Sequence, residues 1–282
     1  MRGRAGCARE RTPAQSARSV AQRLVTLRRM EEIRVTSLAE RPELRSRLWD
    51  MADSWPEFMT HDHVANALHE RIAEAFPEHV HVGTDESGAV VARAFAVPFA
   101  LRGAGRDGTL PGRGWDQVLV WAFGDRRDGV EPDTVSAIEI AVDAGRQGRG
   151  LSAVMLGAMR SAAADRGFAE VVAPVRPSAK HHEPHTPMHE YATRTREDGL
   201  PHDPWLRVHV RAGATLAAPD PVAPASMVIG APLAQWRTWT GLPFDKEGWT
   251  TVPGALTPVR CEPDHDWAVY VEPNVWLRHH LR

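Results

Sequence analysis

The residue types best suited to chemistry lie between positions 138 and 152. There Ile138-Glu139-Ile140-Ala141-Val142-Asp143 runs into Ala144-Gly145-Arg146-Gln147-Gly148-Arg149-Gly150, and Leu151-Ser152 opens an apolar-periodic stretch. The order is strand, glycine-rich turn, helix start. Glycines let a backbone turn with positive φ and approach a ligand closely. The first N–H groups of the following helix have no intrahelical partner and sit at the positive end of its dipole, so they converge on an anion such as a pyrophosphate. The turn lacks the Lys-Ser/Thr pair of a P-loop, which disfavours metal-assisted nucleotide chemistry. Its spacing is also not the Gly-x-Gly-x-x-Gly of a dinucleotide fold.

A second group of chemistry-bearing side chains is His181, His182, His185, His189 and His202, interleaved with Glu183, Glu190 and Asp203. Zinc takes such ligands. Prolines at 184, 187, 201 and 204 interrupt the segment, so no secure helix presents a His-x-x-x-His pair. A polar loop that shapes a pocket is the better reading, and no metal is expected. Lys180, one of two lysines, reads as a surface residue that could also meet a phosphate.

The elements that must position these residues follow from periodicity and punctuation. Ile33–Ser37 alternates as a strand, and Pro42 opens a helix carrying Leu44, Leu48 and Met51. Val64, Leu68, Ile72 and Phe76 form one stripe of a second helix that Pro77 stops. His79–Thr84 and Ala89–Pro98 read as a hairpin across Asp85-Glu86-Ser87-Gly88. Trp115–Phe123 is ambiguous between helix and strand. Ser136–Asp143 is a strand, Leu151–Arg166 a helix closed by Gly167, Glu170–Arg176 a strand, and Pro204–Ala212 a short helix closed by Gly213. Ala223–Ile229 and Ala268–Val271 are late strands, with more pairing expected between Trp249 and Cys261. The result is a mixed α/β layer fold.

Gln147-Gly148-Arg149-Gly150-Leu151-Ser152 resembles the acyl-CoA motif Gln/Arg-x-x-Gly-x-Gly/Ala of the GCN5-related N-acetyltransferases, with Ser152 as a small departure. The element order over about residues 32–230 is similar to that family's as well. The resemblance implies a central, mostly antiparallel, splayed sheet flanked by helices, with a C-terminal β extension. It implies acetyl-CoA as co-substrate, its pantetheine arm along the backbone of Ile140, Ala141 and Val142. Its pyrophosphate would meet the N–H groups from Gln147 to Ser152, with Arg146 and Arg149 beside it. It implies direct transfer of an acetyl group to a primary amine.

The resemblance also implies site residues. Glu139, on the motif strand, takes the position of a general base. The family's tyrosine acid maps onto His209, in Val208-His209-Val210-Arg211-Ala212-Gly213, where an imidazole near its ordinary pKa would serve; Tyr191 is the substitute. Trp55, Glu57 and Phe58 fall on the loop that borders the acceptor, and Trp49 and Trp115 in the half that would line its cleft. A small amine, an antibiotic, an amino acid and a peptide amine are all compatible acceptors. A CoA-binding sensor that has lost its acid, or a metal-dependent hydrolase built on the histidines, are the alternatives. Homodimers are common in the family.

Composition sets outer limits. The chain has 282 residues, 43% hydrophobic and 25% charged, which is ordinary globular usage. No apolar run approaches the ~20 residues of a membrane span, so no membrane partner is expected. Cys7 and Cys261 cannot build a disulfide framework, and a reducing cytoplasm is the expected compartment. Residues 1–29 carry eight Arg and one Glu, a charge of +7, against −2 for the whole chain, which leaves −9 on the rest. An acidic body argues against nucleic acid and for a cationic partner. Residues 1–29 read as a disordered tail or an upstream start. Residues 30–230 read as the catalytic core with a Pro/His-rich insert at 177–204, and 231–282 as an extension that completes the same domain.

Overall fold

The computed structural model describes residues 33–52 and 55–281. The expectation for residues 1–29 lies outside them. From Ile33 onward the chain forms one compact unit. Ten strands make one sheet: β1 (Arg34–Ser37), β2 (Val80–Thr84), β3 (Val90–Phe99), β4 (Thr134–Val142), β5 (Glu170–Val175), β6 (Thr215–Leu216), β7 (Val222–Pro232), β8 (Gly248–Thr250), β9 (Val259–Glu262) and β10 (Trp267–His280). The spatial order is β1-β2-β3-β4-β5-β10-β9-β8, with β6 and β7 also paired to β10. Every pairing is antiparallel except β4 with β5. The helices are α1 (His63–Leu68), α2 (Ile72–Ala75), α3 (Gly114–Asp128), α4 (Leu151–Asp165), α5 (Met188–Thr193), α6 (Pro204–Arg211) and α7 (Leu233–Thr240).

Period-two alternation assigns the two faces of the sheet. On β3, Phe95, Val97 and Phe99 join Leu44, Ile72, Phe76, Val118 and Leu119 on the face covered by α2 and α3. The intervening Ala92, Ala94 and Ala96 pack on the other face against Met155 and Met159 of α4. Small residues there let α4 lie close to the strands. A third cluster, around Trp236, Phe244 and Tyr270, holds the C-terminal strands to α7.

Three elements differ from the periodicity. The helix expected at Pro42 is a 3-10 stretch over Pro42–Arg47, with no side-chain cap at Arg41. The stripe from Val64 to Phe76 is not one helix. It breaks at His69-Glu70-Arg71, where the His69 ring turns toward β4. The strand read over Ala268–Val271 is the start of fourteen-residue β10, whose polar positions Glu272, Asn274, Arg278 and His279 disguised it. The ambiguous Trp115–Phe123 belongs to helix α3, which Gly129 closes with a φ of 66°.

Candidate active site

Strands β4 and β5 pair only at Val135–Val171 and Ser136–Val172. Beyond Ser136, β4 keeps its ladder with β3 up to Val142, while β5 stays with β10. The two strands therefore part, and Ile140, Ala141 and Val142 keep an edge that β5 does not pair. Pro174, which has no N–H to offer a ladder, sits on β5 where they diverge. The gap opens on a cavity of about 970 Å³ whose wall includes residues 137–140 of β4, residues 173–175 of β5 and Arg176 just beyond it.

The glycine turn follows directly. Asp143 Oδ1 accepts from Gly145 N at 3.0 Å. Gly148 and Gly150 have φ of 73° and 85°, and a Cβ built on either meets nothing within 4 Å. Gly150 is the N-cap of α4 and supplies no side-chain bond to its first turn. The turn is exposed and leads into the first backbone N–H groups of α4, the donors expected of an anion site. The open β4 edge, the gap and this turn fit a pantetheine arm and a pyrophosphate in that order. Arg146 is bound to Asp85 Oδ2 at 2.6 Å, and Arg149 donates to Gly145 O at 3.2 Å, so both stiffen the turn.

Glu139 points into the cavity but is not a free base. Only 7% of it is exposed. Arg93 Nε donates to its Oε1 at 2.8 Å, and His69 Nε2 lies 3.0 Å from Oε2. Burial alone would raise its pKa; the His69 and Arg93 contacts outweigh that and hold it below the ordinary carboxylate value. Accepting a proton would break a buried pair, a change that costs about 3–5 kcal/mol in comparable sites.

His209 lies in the cavity wall beside Trp205, its Nδ1 2.9 Å from His279 Nε2 on β10. Its Nε2 is buried with no hydrogen-bond partner. Burial, with His279 next to it, pushes its pKa down to about 3. The expectation of an imidazolium acid near neutrality is therefore corrected: the ring is neutral there and has one hydrogen bond to give or take. Tyr191 is also displaced from that role, because its buried hydroxyl donates to Asp203 Oδ2 at 3.0 Å within the second core cluster.

Of the three acceptor-loop residues, only Trp55 reaches the cavity, together with Trp49 and Trp115. Phe58 is core, edge-on to Tyr270 at 5.2 Å, and Glu57 is an exposed partner of His61. Lys180 is not at the surface; it is fully buried and donates to the carbonyls of Glu183 and Leu256. The histidines of the insert disperse: His181 and His182 meet as a tilted ring pair, His185 meets Thr251 and His189 meets Asp220. No group of three or more metal-ligating side chains gathers among the described residues.

Sequence reasoning missed His69, Arg93, Arg176, Glu272 and Asn274. Arg176 Nε pairs with the fully buried Glu272 at 3.0 Å, and Glu272 also takes the Tyr270 hydroxyl at 2.7 Å. The register of β10 against β7 shifts between Glu272 and Asn274, and both residues line the cavity. A bulge re-aims side chains in this way, and a Glu-Pro-Asn run inside an apolar strand was its one visible signal.

No family model matches the chain. It is 29% identical over 272 residues to the arginine N-acetyltransferase avaD of Aspergillus versicolor, a match covering 86% of this chain and 91% of that protein. The chain is therefore similar, over most of its length, to a protein named as an N-acetyltransferase. Among solved structures, the loading GNATL domain of CurA from Lyngbya majuscula superposes with a TM-score of 0.52 at 16% identity. That likeness spans 89% of this chain and 98% of the domain, and shows the shared GNAT fold. The parted β4 and β5 and the glycine turn before α4 are where the GNAT resemblance placed the acyl-CoA.

Proposed function

We propose that the protein is an N-acetyltransferase that moves an acetyl group from acetyl-CoA directly to the primary amine of a small molecule. The observation that carries this is the continuity of three features: the open edge of β4, the gap beside Pro174, and the turn at Gly148 and Gly150. The edge and turn hold the donor, and the gap delivers its thioester to the cavity. The acceptor enters from the side of Trp49, Trp55, Trp115 and Glu70. Aromatic faces beside a carboxylate favour a cationic amine. Arginine is the first acceptor to test, since the related avaD is named for it.

In this reading the chain works as a homodimer in a reducing compartment, which suits the buried free thiol of Cys261. Residues 231–282 act as part of the catalytic unit, because β10 flanks β5 along the cavity wall. The test is calorimetric titration of acetyl-CoA into the full chain, followed by free-thiol release with arginine and a panel of amines. One equivalent bound and thiol released supports the enzyme. Binding with no thiol release from any amine points to a CoA-sensing module instead, and absence of binding refutes both.

A further inference from the structure

Two of the histidines that line the cavity are set differently: His209 pairs with another imidazole, whereas His69 pairs with a carboxylate. His69 sits in the bend between α1 and α2, boxed by Phe95 at 4.9 Å and by Trp49 and Trp115 at 6.0 Å between ring centres. It lines the cavity. The charged groups facing it are Glu139 from β4, Arg93 from β3 and its neighbour Glu70.

The hydrogen-bond chemistry assigns its tautomer. Glu139 is an ionised carboxylate and can only accept. Its 3.0 Å contact to Nε2 therefore needs the proton on Nε2. A neutral ring then carries its lone pair on Nδ1, the ring nitrogen that Glu139 does not engage. A carboxylate that orients an imidazole and stabilises its cation is a recurrent arrangement for a general base. Arg93, bound to the other oxygen of Glu139 and to Leu48 O at 3.1 Å, locks the carboxylate in place.

We propose that His69, not Glu139, takes the proton of the acceptor amine, and that Glu139 and Arg93 are positioning residues for the His69 ring. The inference rests on the acetyltransferase reading above. An ammonium acceptor gives one proton to Nδ1 of His69, and the imidazolium is held by Glu139. The neutral amine nitrogen attacks the thioester carbonyl and forms the N–C bond. When the adduct collapses, the C–S bond breaks with its electron pair on sulfur, and the second N–H proton goes to that thiolate. His69 returns its proton to water, so one proton is released per acetyl group transferred.

The test uses the full chain and the acceptor that the wild type turns over. His69→Gln keeps an N–H for Glu139 but cannot accept a proton. It is expected to lower kcat at least about 100-fold, with acetyl-CoA affinity and Tm near the wild-type values. His69→Ala is expected to lose a similar factor and to recover at least about tenfold on adding imidazole, as a missing base does and a missing packing group does not. Glu139→Gln is expected to fall by a smaller factor, without imidazole rescue. A His69→Gln enzyme within twofold of wild-type kcat overturns the proposal. So does a His69→Ala enzyme that imidazole leaves unchanged while Glu139→Gln is equally slow, because Glu139 is then the base. Absence of thiol release from the wild type, despite bound acetyl-CoA, overturns the acetyltransferase reading and this inference with it.

Discussion

At the scale of single residues, burial sets the protonation states. Asp116, 1% exposed at the start of α3, has its pKa raised to about 8, first by burial and then by Asp62; Arg113 and the Val228 N–H oppose this only partly. Asp62 is raised as well, mainly by burial, although its Oδ1 accepts from Ala65 N at 2.7 Å. The native fold thus favours a protonated Asp116. Its stabilising effect is complete below the ordinary carboxylate pKa and is lost as pH rises toward 8. Asp116→Asn is therefore expected to gain more than about 1 kcal/mol over the wild type at pH 8, with the gain vanishing near pH 4. Urea midpoints at the two pH values measure this. His209 gives a second expectation. A ring held neutral gives at most a hydrogen bond, so His209→Phe should cost about 1 kcal/mol, roughly fivefold in kcat. The shape of the pH–rate profile from pH 6 to 8 should stay the same; a changed shape would show that the ring titrates.

At the scale of elements, the site depends on one turn and one gap. Gly150 has a φ of 85° at the head of α4. Any other residue there is strained by about 1–2 kcal/mol, although the space beside it is open. Gly150→Ala is expected to lower Tm by a few degrees and to weaken acetyl-CoA binding, because the following N–H groups lose their aim. Calorimetric affinity equal to the wild type would show that the turn does not hold the donor. This turn was legible in the sequence because glycine spacing, strand and helix are all local signals. The hairpin β2–β3, helix α4 and strand β5 were legible for the same reason. What escaped was non-local. The break at His69 follows from a contact to Glu139, seventy residues away in sequence. Glu139, although placed on the right strand, carried no sign that Arg93 and His69 would occupy both its oxygens. Phe58 looked like a pocket residue because nothing local showed Tyr270 and Trp236 beside it.

At the scale of the whole molecule, buried histidines dominate the response to acid. His79 and His209 have pKa values lowered to about 3, and His81 and His279 to about 4, in every case first by burial. A depressed native pKa contributes stability that is present above the ordinary histidine value of about 6.5 and is lost as pH falls toward the native value. Near pH 5.5 all four rings are mostly protonated in the unfolded chain and neutral in the native one. Unfolding therefore takes up nearly four protons at these sites. Asp116 works the other way, releasing one on unfolding, and Asp62 is shifted in the same direction, so the net uptake is between about two and three. Stability should then fall by ~3 kcal/mol per pH unit around pH 5.5. The four rings are spread over β2 and the turn before it, α6 and β10, on both sides of the parted strands, so acid should unfold the sheet as one unit. Denaturant titrations followed by far-UV and tryptophan signals at pH 7.5 and 5.5 should show coincident transitions and a much lower midpoint at pH 5.5. In Asp116→Asn the drop should be steeper, because part of the offset is removed. Equal midpoints at the two pH values would mean that the rings charge without cost, and hence that the His209–His279 pair is open to water.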